Sequence, residues 1–397
     1  MNIGGVNQFK ESAIEKLLEE VKKVGGTLLT PTVSLCAACV YHIPAYKYHK
    51  DGAVYMVKHC IFHGISHHKI ENDYEFYAQF EEYHLDDIWN FNDLVHVEGS
   101  DRCQLDCPHC YHLPDDRIQD VPRQEILDRI KNWPFVKDVQ HVLFAGAESS
   151  LRKDFVELVS DVKAMGIKPG ILTNGIRFGD LDFLQRSLDA GLFLVNVGLN
   201  HPDYNNFETV RKKQVNAIEA LTKSNALMGY ISYTMISLDE IDYILGEIVN
   251  NNWNAFSYRI RAGSEIGRNS TQGRLYLSDH YKALVDWCER NGKHYEILNK
   301  ADNNLYHVVV MVEGKPIRLI QWCDITDIDM ENLRCGPWCD FVPGPVTNFL
   351  HQVILRDEWK NKGKILPDVA PERYQFAKVP VNEPLDLLKL KTAGPKL

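Results

Sequence analysis

The 397-residue sequence has no apolar run approaching the roughly 18 residues a membrane span needs. It also has no excess of positive charge: 44 Lys and Arg face 54 Asp and Glu, for a net charge of −10. The first absence predicts a chain without a membrane span. The second argues against a nucleic-acid duplex as the main partner, because such binding rests on cations that neutralise phosphates. The opening stretch MNIGGVNQFKESAIEKL lacks the apolar core of a secretion signal, so a cytoplasmic location is expected. GxSxG, P-loop and HExxH motifs are missing, which leaves hydrolase and nucleotide-triphosphatase readings without support. Neither an internal repeat of roughly 20–50 residues nor a low-complexity block is visible.

What is present is an ordinary globular composition, 45% hydrophobic and 25% charged, with ten cysteines. In a reducing compartment cysteines serve as metal ligands or buried thiols more often than as disulfides, so their spacing carries more information than their number. Residues 11–24 place Ile14, Leu17, Leu18 and Val21 at helical spacing and predict an amphipathic helix. From Thr30 to His68 the pattern is short, irregular and rich in Cys, His and Tyr, which predicts a metal-stapled module.

From about Asp93, apolar runs alternate with amphipathic helical stretches. LVHVEG, HVLFAG, GILTNG, LFLVNVGLN, MGYISYTMI and AFSYRIRAG read as strands, separated by helices such as RKDFVELVSDVKAMG and DEIDYILGEIVNN. About six β–α units imply a parallel sheet covered by helices, with chemistry beyond the carboxyl ends of its strands. After Arg268 come a helix at HYKALVDWCERNG and a hairpin, VVVMVEGKPIRLIQW, turning at Glu-Gly. The expected fold is α/β: a partial (β/α)6 barrel over 93–268. A helix (1–29) and a metal-ribbon module (30–92) precede it, and an α+β extension (269–397) follows.

Three cysteine groups carry the chemistry. Cys103, Cys107 and Cys110 lie within eight residues directly after the first barrel strand, so one loop can aim three sulfurs at an iron–sulfur cluster. A zinc knuckle or buried thiols are the competing reading. Cys36, Cys39, Cys60 and His63 form two knuckles suited to tetrahedral zinc or to a mononuclear iron, with His59, His67 or a distant cysteine as alternative fourth ligands. Cys323, Cys335 and Cys339 can hold an auxiliary iron–sulfur cluster, with Cys288 or a substrate atom in the fourth position, or can be buried free thiols.

The CxxxCxxC motif, followed by the aromatic Tyr111 at the end of the first of several β–α units, resembles the radical S-adenosylmethionine (radical SAM) superfamily, over about residues 93–265. The resemblance implies a [4Fe–4S] cluster on Cys103, Cys107 and Cys110 whose open iron chelates the methionine part of S-adenosylmethionine. It implies reductive cleavage to a 5′-deoxyadenosyl radical, fed by an electron donor such as flavodoxin or ferredoxin.

Further residues follow from the same likeness. Gly146-Ala147-Glu148 stands where the family carries Gly-Gly-Glu, with Glu148 placed to accept from the cofactor ammonium; here alanine takes the second glycine's place. Thr173-Asn174 matches a Thr-Asn-Gly motif suited to ribose hydroxyls or to loop support. Asn200 and Arg261 reach the ribose or the methionine carboxylate by analogy, or are a loop cap and a surface cation. Tyr111 lies beside the adenine or is an ordinary packed aromatic.

The Cys-rich N-terminal string also resembles the module of the methylase class that includes tetraether-lipid synthase and pterin-methylating enzymes. A CPxxCGxC-like element of the larger members is missing here. Hydrogen abstraction from an unactivated carbon of a small-molecule or lipid-like substrate is therefore expected, leading to carbon–carbon bond formation or methylation. Aminocarboxypropyl transfer from the same cofactor, and a non-catalytic zinc scaffold for a partner protein, are the rival readings.

Overall fold

The computed structural model describes residues 9–36, 42–79, 94–107, 110, 114, 119–132, 139–199, 201–202, 207–224, 226–262, 275–298 and 307–320. Helix α1 (Glu11–Lys23) buries Leu17 and Val21 on a four-stranded antiparallel meander. Its strands are β1 (Thr27–Leu35), β2 (His42–Lys50), β3 (Ala53–Cys60) and β4 (Gly64–Glu71). The module is more regular than its Cys/His-rich sequence predicts. The reason is two-sided burial: along β2 and β3, Tyr48 and Val57 face α1, while Ala45, Val54 and Met56 face the main core of the molecule. Tyrosines and β-branched residues fit such a pleated surface. The two-residue turn between β2 and β3 puts Asp51 and Gly52 at φ 49° and 77°, the pairing that matches strand twist in a tight hairpin.

Six parallel strands follow: β5 (Leu94–Ser100), β6 (His141–Gly146), β7 (Lys168–Thr173), β8 (Leu194–Gly198), β9 (Leu227–Met235) and β10 (Ala255–Ala262). They neighbour one another in chain order. Between them run α3 (Arg123–Lys131), α4 (Phe155–Ala164), α5 (Leu181–Ala190), α6 (Phe207–Lys223) and α7 (Ile241–Asn250), after a short α2 (Tyr74–Ala78). This is the expected β–α series. Strand residues such as Phe144, Ile171, Val195 and Ile231 pack with helix residues such as Phe155, Leu158, Ile218 and Ile244 in one continuous core.

The hairpin expected near the end is also there, and it is stitched into the same sheet. After α8 (Leu277–Arg290) and β11 (Tyr295–Ile297), β12 (His307–Val312) turns at Glu313-Gly314 into β13 (Lys315–Ile320). Strand β13 pairs parallel with β10, giving the order β11-β12-β13-β10-β9-β8-β7-β6-β5. An uncovered β10 edge would leave unpaired backbone groups; β13 supplies them and buries Ile317 and Leu319 in the same core.

Helix α8 also holds the N-terminal module in place. The buried Glu71 carboxylate at the end of β4 accepts from the Ser278 hydroxyl and from the Ser278 N–H at 3.4 Å, in the first turn of α8. Asn72 donates to Asp279 at 2.9 Å, and Lys282 pairs with Asp73 at 2.6 Å. Among the described residues no helix is long and apolar enough to cross a membrane.

Candidate active site

Strand β5 runs straight into the loop bearing Cys103, Cys107 and Cys110, and that loop is fastened before the first cysteine. The Ala147 N–H donates to Ser100 O and the Glu148 N–H to Arg102 O, each at 2.9 Å, so the ends of β5 and β6 are tied together. Ser100 Oγ donates to Asp120 at 2.6 Å, and Arg102 grips the same carboxylate through Nε at 3.1 Å and through Nη2. Burial alone would raise the Asp120 carboxyl, but the bonds from Arg102 and Ser100 hold it below the usual carboxylate range. Beneath the loop, Arg152 is 1% exposed and donates to Gly99 O (2.9 Å) and Val121 O (2.8 Å) while pairing with Asp154. None of Ser100, Arg102, Asp120 or Arg152 stands out in the sequence. They join segments up to 53 residues apart, and no spacing rule reports such contacts.

Gly146 has φ 95°, and a Cβ there would lie 2.7 Å from Ser100 O, so only glycine fits. Gly146 and Ala147 are partly exposed, which leaves backbone at the surface beside the cysteine loop. Glu148 is placed differently from the expectation that it meets a cofactor ammonium: it is 0% exposed. Its Oε1 accepts from Ser150 Oγ (2.5 Å), Thr173 Oγ1 (2.7 Å) and the Ser150 N–H (3.4 Å), and its Oε2 accepts from the Asn174 N–H (2.7 Å). Burial pushes its carboxyl up against the pull of those donors. Glu148 therefore ties β6 to β7, and Thr173 serves in the same tie. Asn174 sits above it, with its side-chain amide 3.7 Å from Cys103 Sγ and 3.3 Å from Gln104.

The three loop cysteines are partly exposed and free of disulfides. Burial pushes the Cys103 thiol up to about 12, and the nearby Glu148, Cys107 and Cys110 add to the push against the Leu105 N–H, which donates to Cys103 Sγ at 3.4 Å. Three free sulfur donors on one short loop are the chemistry that an iron–sulfur group takes. Arg261, on β10, donates from Nε to Thr234 Oγ1 at 3.0 Å. Tyr111 and Asn200 lie outside the described residues, as do Cys39, Cys323, Cys335 and Cys339.

A second centre lies in the N-terminal module. Cys36 just after β1, Cys60 at the end of β3 and His63 in the following turn bring their donor atoms within 4.8 Å of one another. His63 Nδ1 is 3.6 Å from Cys36 Sγ and 3.4 Å from Cys60 Sγ. Tetrahedral zinc with its usual bond lengths sets sulfur and nitrogen ligands about 3.6 Å apart. Of the alternative histidines, His67 is engaged by the Tyr48 hydroxyl at 2.9 Å and by Glu20 at 3.6 Å, and His59 precedes Cys60 on the strand and so faces the opposite side. Among the described histidines, His63 is the one shown with a ring nitrogen beside both sulfurs. Cys60→Ser is expected to lower bound zinc from about one ion per chain to a small fraction of that, read by metal analysis of the purified protein.

Two regions of the chain match known families. The radical SAM superfamily matches residues 97–248, and the HMPTM N-terminal zinc ribbon domain matches residues 28–72. The 7,8-dihydro-6-hydroxymethylpterin dimethyltransferase of Methanocaldococcus jannaschii is 25% identical over 193 residues, 41% of this chain and 37% of that protein. The GTP 3′,8-cyclase of Lactiplantibacillus plantarum is 33% identical over 117 residues, 28% of this chain and 34% of that protein. The matched regions thus span under two fifths of these relatives' own lengths. Among solved structures, Streptococcus suis SuiB bound to S-adenosylmethionine matches 62% of this chain and 54% of that one at 13% identity, with a TM-score of 0.43.

Proposed function

From a chain that carries a radical SAM domain behind an N-terminal zinc ribbon, we propose an enzyme that cleaves S-adenosylmethionine reductively on a cluster held by Cys103, Cys107 and Cys110, and uses the radical to abstract hydrogen from a small-molecule substrate. The observation that carries this reading is the cysteine loop locked onto Gly146-Ala147-Glu148 and met by Asn174. When bound, the cluster supplies the electron that breaks the sulfonium bond. The chain supplies position. The partly exposed backbone at Gly146 and Ala147 gives the cofactor's methionine part a surface to lie against, and the Asn174 amide steadies Cys103 and the ribose side of the site.

Carbon–carbon bond formation or methylation of the substrate follows abstraction in this reading, supported by likeness to relatives named as a pterin dimethyltransferase and a GTP cyclase. A small electron-transfer protein of the flavodoxin or ferredoxin kind delivers the electron. The test is anaerobic reconstitution with iron and sulfide, then product analysis after reduction with S-adenosylmethionine present. 5′-Deoxyadenosine is the expected product. Methylthioadenosine would replace the reading with aminocarboxypropyl transfer, and a colourless protein holding zinc alone would replace it with a non-catalytic scaffold.

A further inference from the structure

Asn174 directly follows β7, and each of its four polar groups has a partner. Its N–H donates to Glu148 Oε2 at 2.7 Å, and its carbonyl accepts from Gln214 Nε2 at 3.0 Å. Gln214, 3% exposed on α6, donates from the same nitrogen to Gly198 O at 3.0 Å, which clasps the ends of β7 and β8 together. In the side chain, Oδ1 accepts from the Ile176 N–H at 3.1 Å and from Gln104 Nε2 at 3.3 Å. Nδ2 donates to Gln104 Oε1 at 3.3 Å and to Cys103 Sγ at 3.7 Å.

The bond from Ile176 decides which end of the amide meets the sulfur. A backbone N–H can only donate, so the atom beside it is the amide oxygen, and the NH2 is left to face Gln104 and Cys103. Cys103 Sγ also accepts from the Leu105 N–H at 3.4 Å. Two N–H groups thus converge on one sulfur. Closing the turn after β7 does not require the second of them, because any side-chain oxygen on residue 174 can take the Ile176 N–H. The NH2 group has no part in that turn.

A donor in this place acts on charge. A thiolate that ligates a cluster becomes more negative when the cluster takes up an electron, and an N–H aimed at it gains strength with that charge. Hydrogen bonds to the sulfurs are among the levers that set a cluster's reduction potential. The Asn174 donor is also fixed in advance, its main chain by Glu148 and Gln214 and its amide by Ile176 and Gln104, so little reorganisation is needed when the electron arrives.

We propose that Asn174 acts through Cys103 on the iron–sulfur cluster: its side-chain NH2 donates to Cys103 Sγ and raises the potential at which the cluster accepts one electron from its external donor. The proposal rests on the cluster assignment above and not on what the radical does afterwards. The test compares parent and Asn174→Ser, each reconstituted anaerobically with iron and sulfide. Both are titrated potentiometrically without S-adenosylmethionine, and the reduced cluster is followed by electron paramagnetic resonance. Omitting the cofactor removes any part Asn174 plays towards the ribose. Serine keeps an oxygen for the Ile176 N–H and loses the donor to sulfur.

Reduction of the variant is expected to be about tenfold less favourable, a midpoint ~59 mV more negative for a one-electron couple, with iron content and melting temperature unchanged. A merely structural role would not move the potential in this way. Pulsed resonance on the parent with 15N-labelled asparagine is expected to show a nitrogen coupled to the reduced cluster, which reports the contact even where the variant assembles poorly. An unshifted midpoint in Asn174→Ser, or no such coupling in the parent, overturns the proposal. A parent that takes up no iron overturns the cluster assignment with it, whereas a shifted midpoint without 5′-deoxyadenosine formation sinks the radical reading alone.

Discussion

Replacing Cys103, Cys107 and Cys110 together by alanine is expected to remove the site's iron and reduce S-adenosylmethionine cleavage to below detection, while the protein stays folded and keeps its zinc. Loss should be complete because three thiolates are the whole protein contribution to a four-iron cluster with one open iron. The fold should survive because what anchors the loop is not sulfur. The Ser100 and Arg102 carbonyls accept from Ala147 and Glu148, and Asp120 holds Ser100 and Arg102 from below. The three thiols are themselves partly exposed, so their removal opens little core. Three measurements check this: 5′-deoxyadenosine by chromatography, iron and zinc by metal analysis, and melting temperature, which should move by no more than about 1–2 °C. Retained cleavage in the triple variant would refute the assignment.

Much of this molecule is legible in the sequence because its signals are local. A period of two or of 3.6 marks the strands and helices, and CxxxCxxC marks a loop able to present three sulfurs together. Side-chain burial is not local. Gly146-Ala147-Glu148 was readable as a motif, but that its glutamate is 0% exposed and occupied by Ser150, Thr173 and Asn174 depends on where β6 and β7 meet. The choice of His63 over His59 and His67 likewise depends on strand facing and on Tyr48 and Glu20, residues far off in sequence. The N-terminal sheet looked irregular because its pattern is apolar towards two partners at once, α1 and the main core.

Glu148→Ala is expected to weaken both the fold and the site. The carboxylate is the common acceptor for Ser150 Oγ, Thr173 Oγ1 and the Asn174 N–H, and its loss leaves those donors unsatisfied in a dry pocket. Each such group costs about 1–3 kcal/mol, so a total on the order of 3 kcal/mol or more follows, with a fall in melting temperature of about 4 °C or more for a chain of this length. Because Asn174 then loses its tether, its amide no longer holds its place beside Cys103, and cleavage should slow as well. Glu148→Gln restores the volume and one acceptor oxygen, which can keep the Ser150 and Thr173 bonds while its NH2 faces the Asn174 N–H, and should recover part of the stability. It also isolates a pH effect. Burial raises the Glu148 carboxyl in the folded protein above its ordinary value, so between the two values the native state binds more proton than the unfolded chain. The stability this group contributes is full at low pH and declines as pH rises through the folded value, and Glu148→Gln lacks that slope. Urea midpoints for both proteins across that range check the sign: the parent should lose stability relative to the variant as pH rises. A parent that instead gained would mean that the four donated bonds outweigh burial and keep the carboxylate ionised.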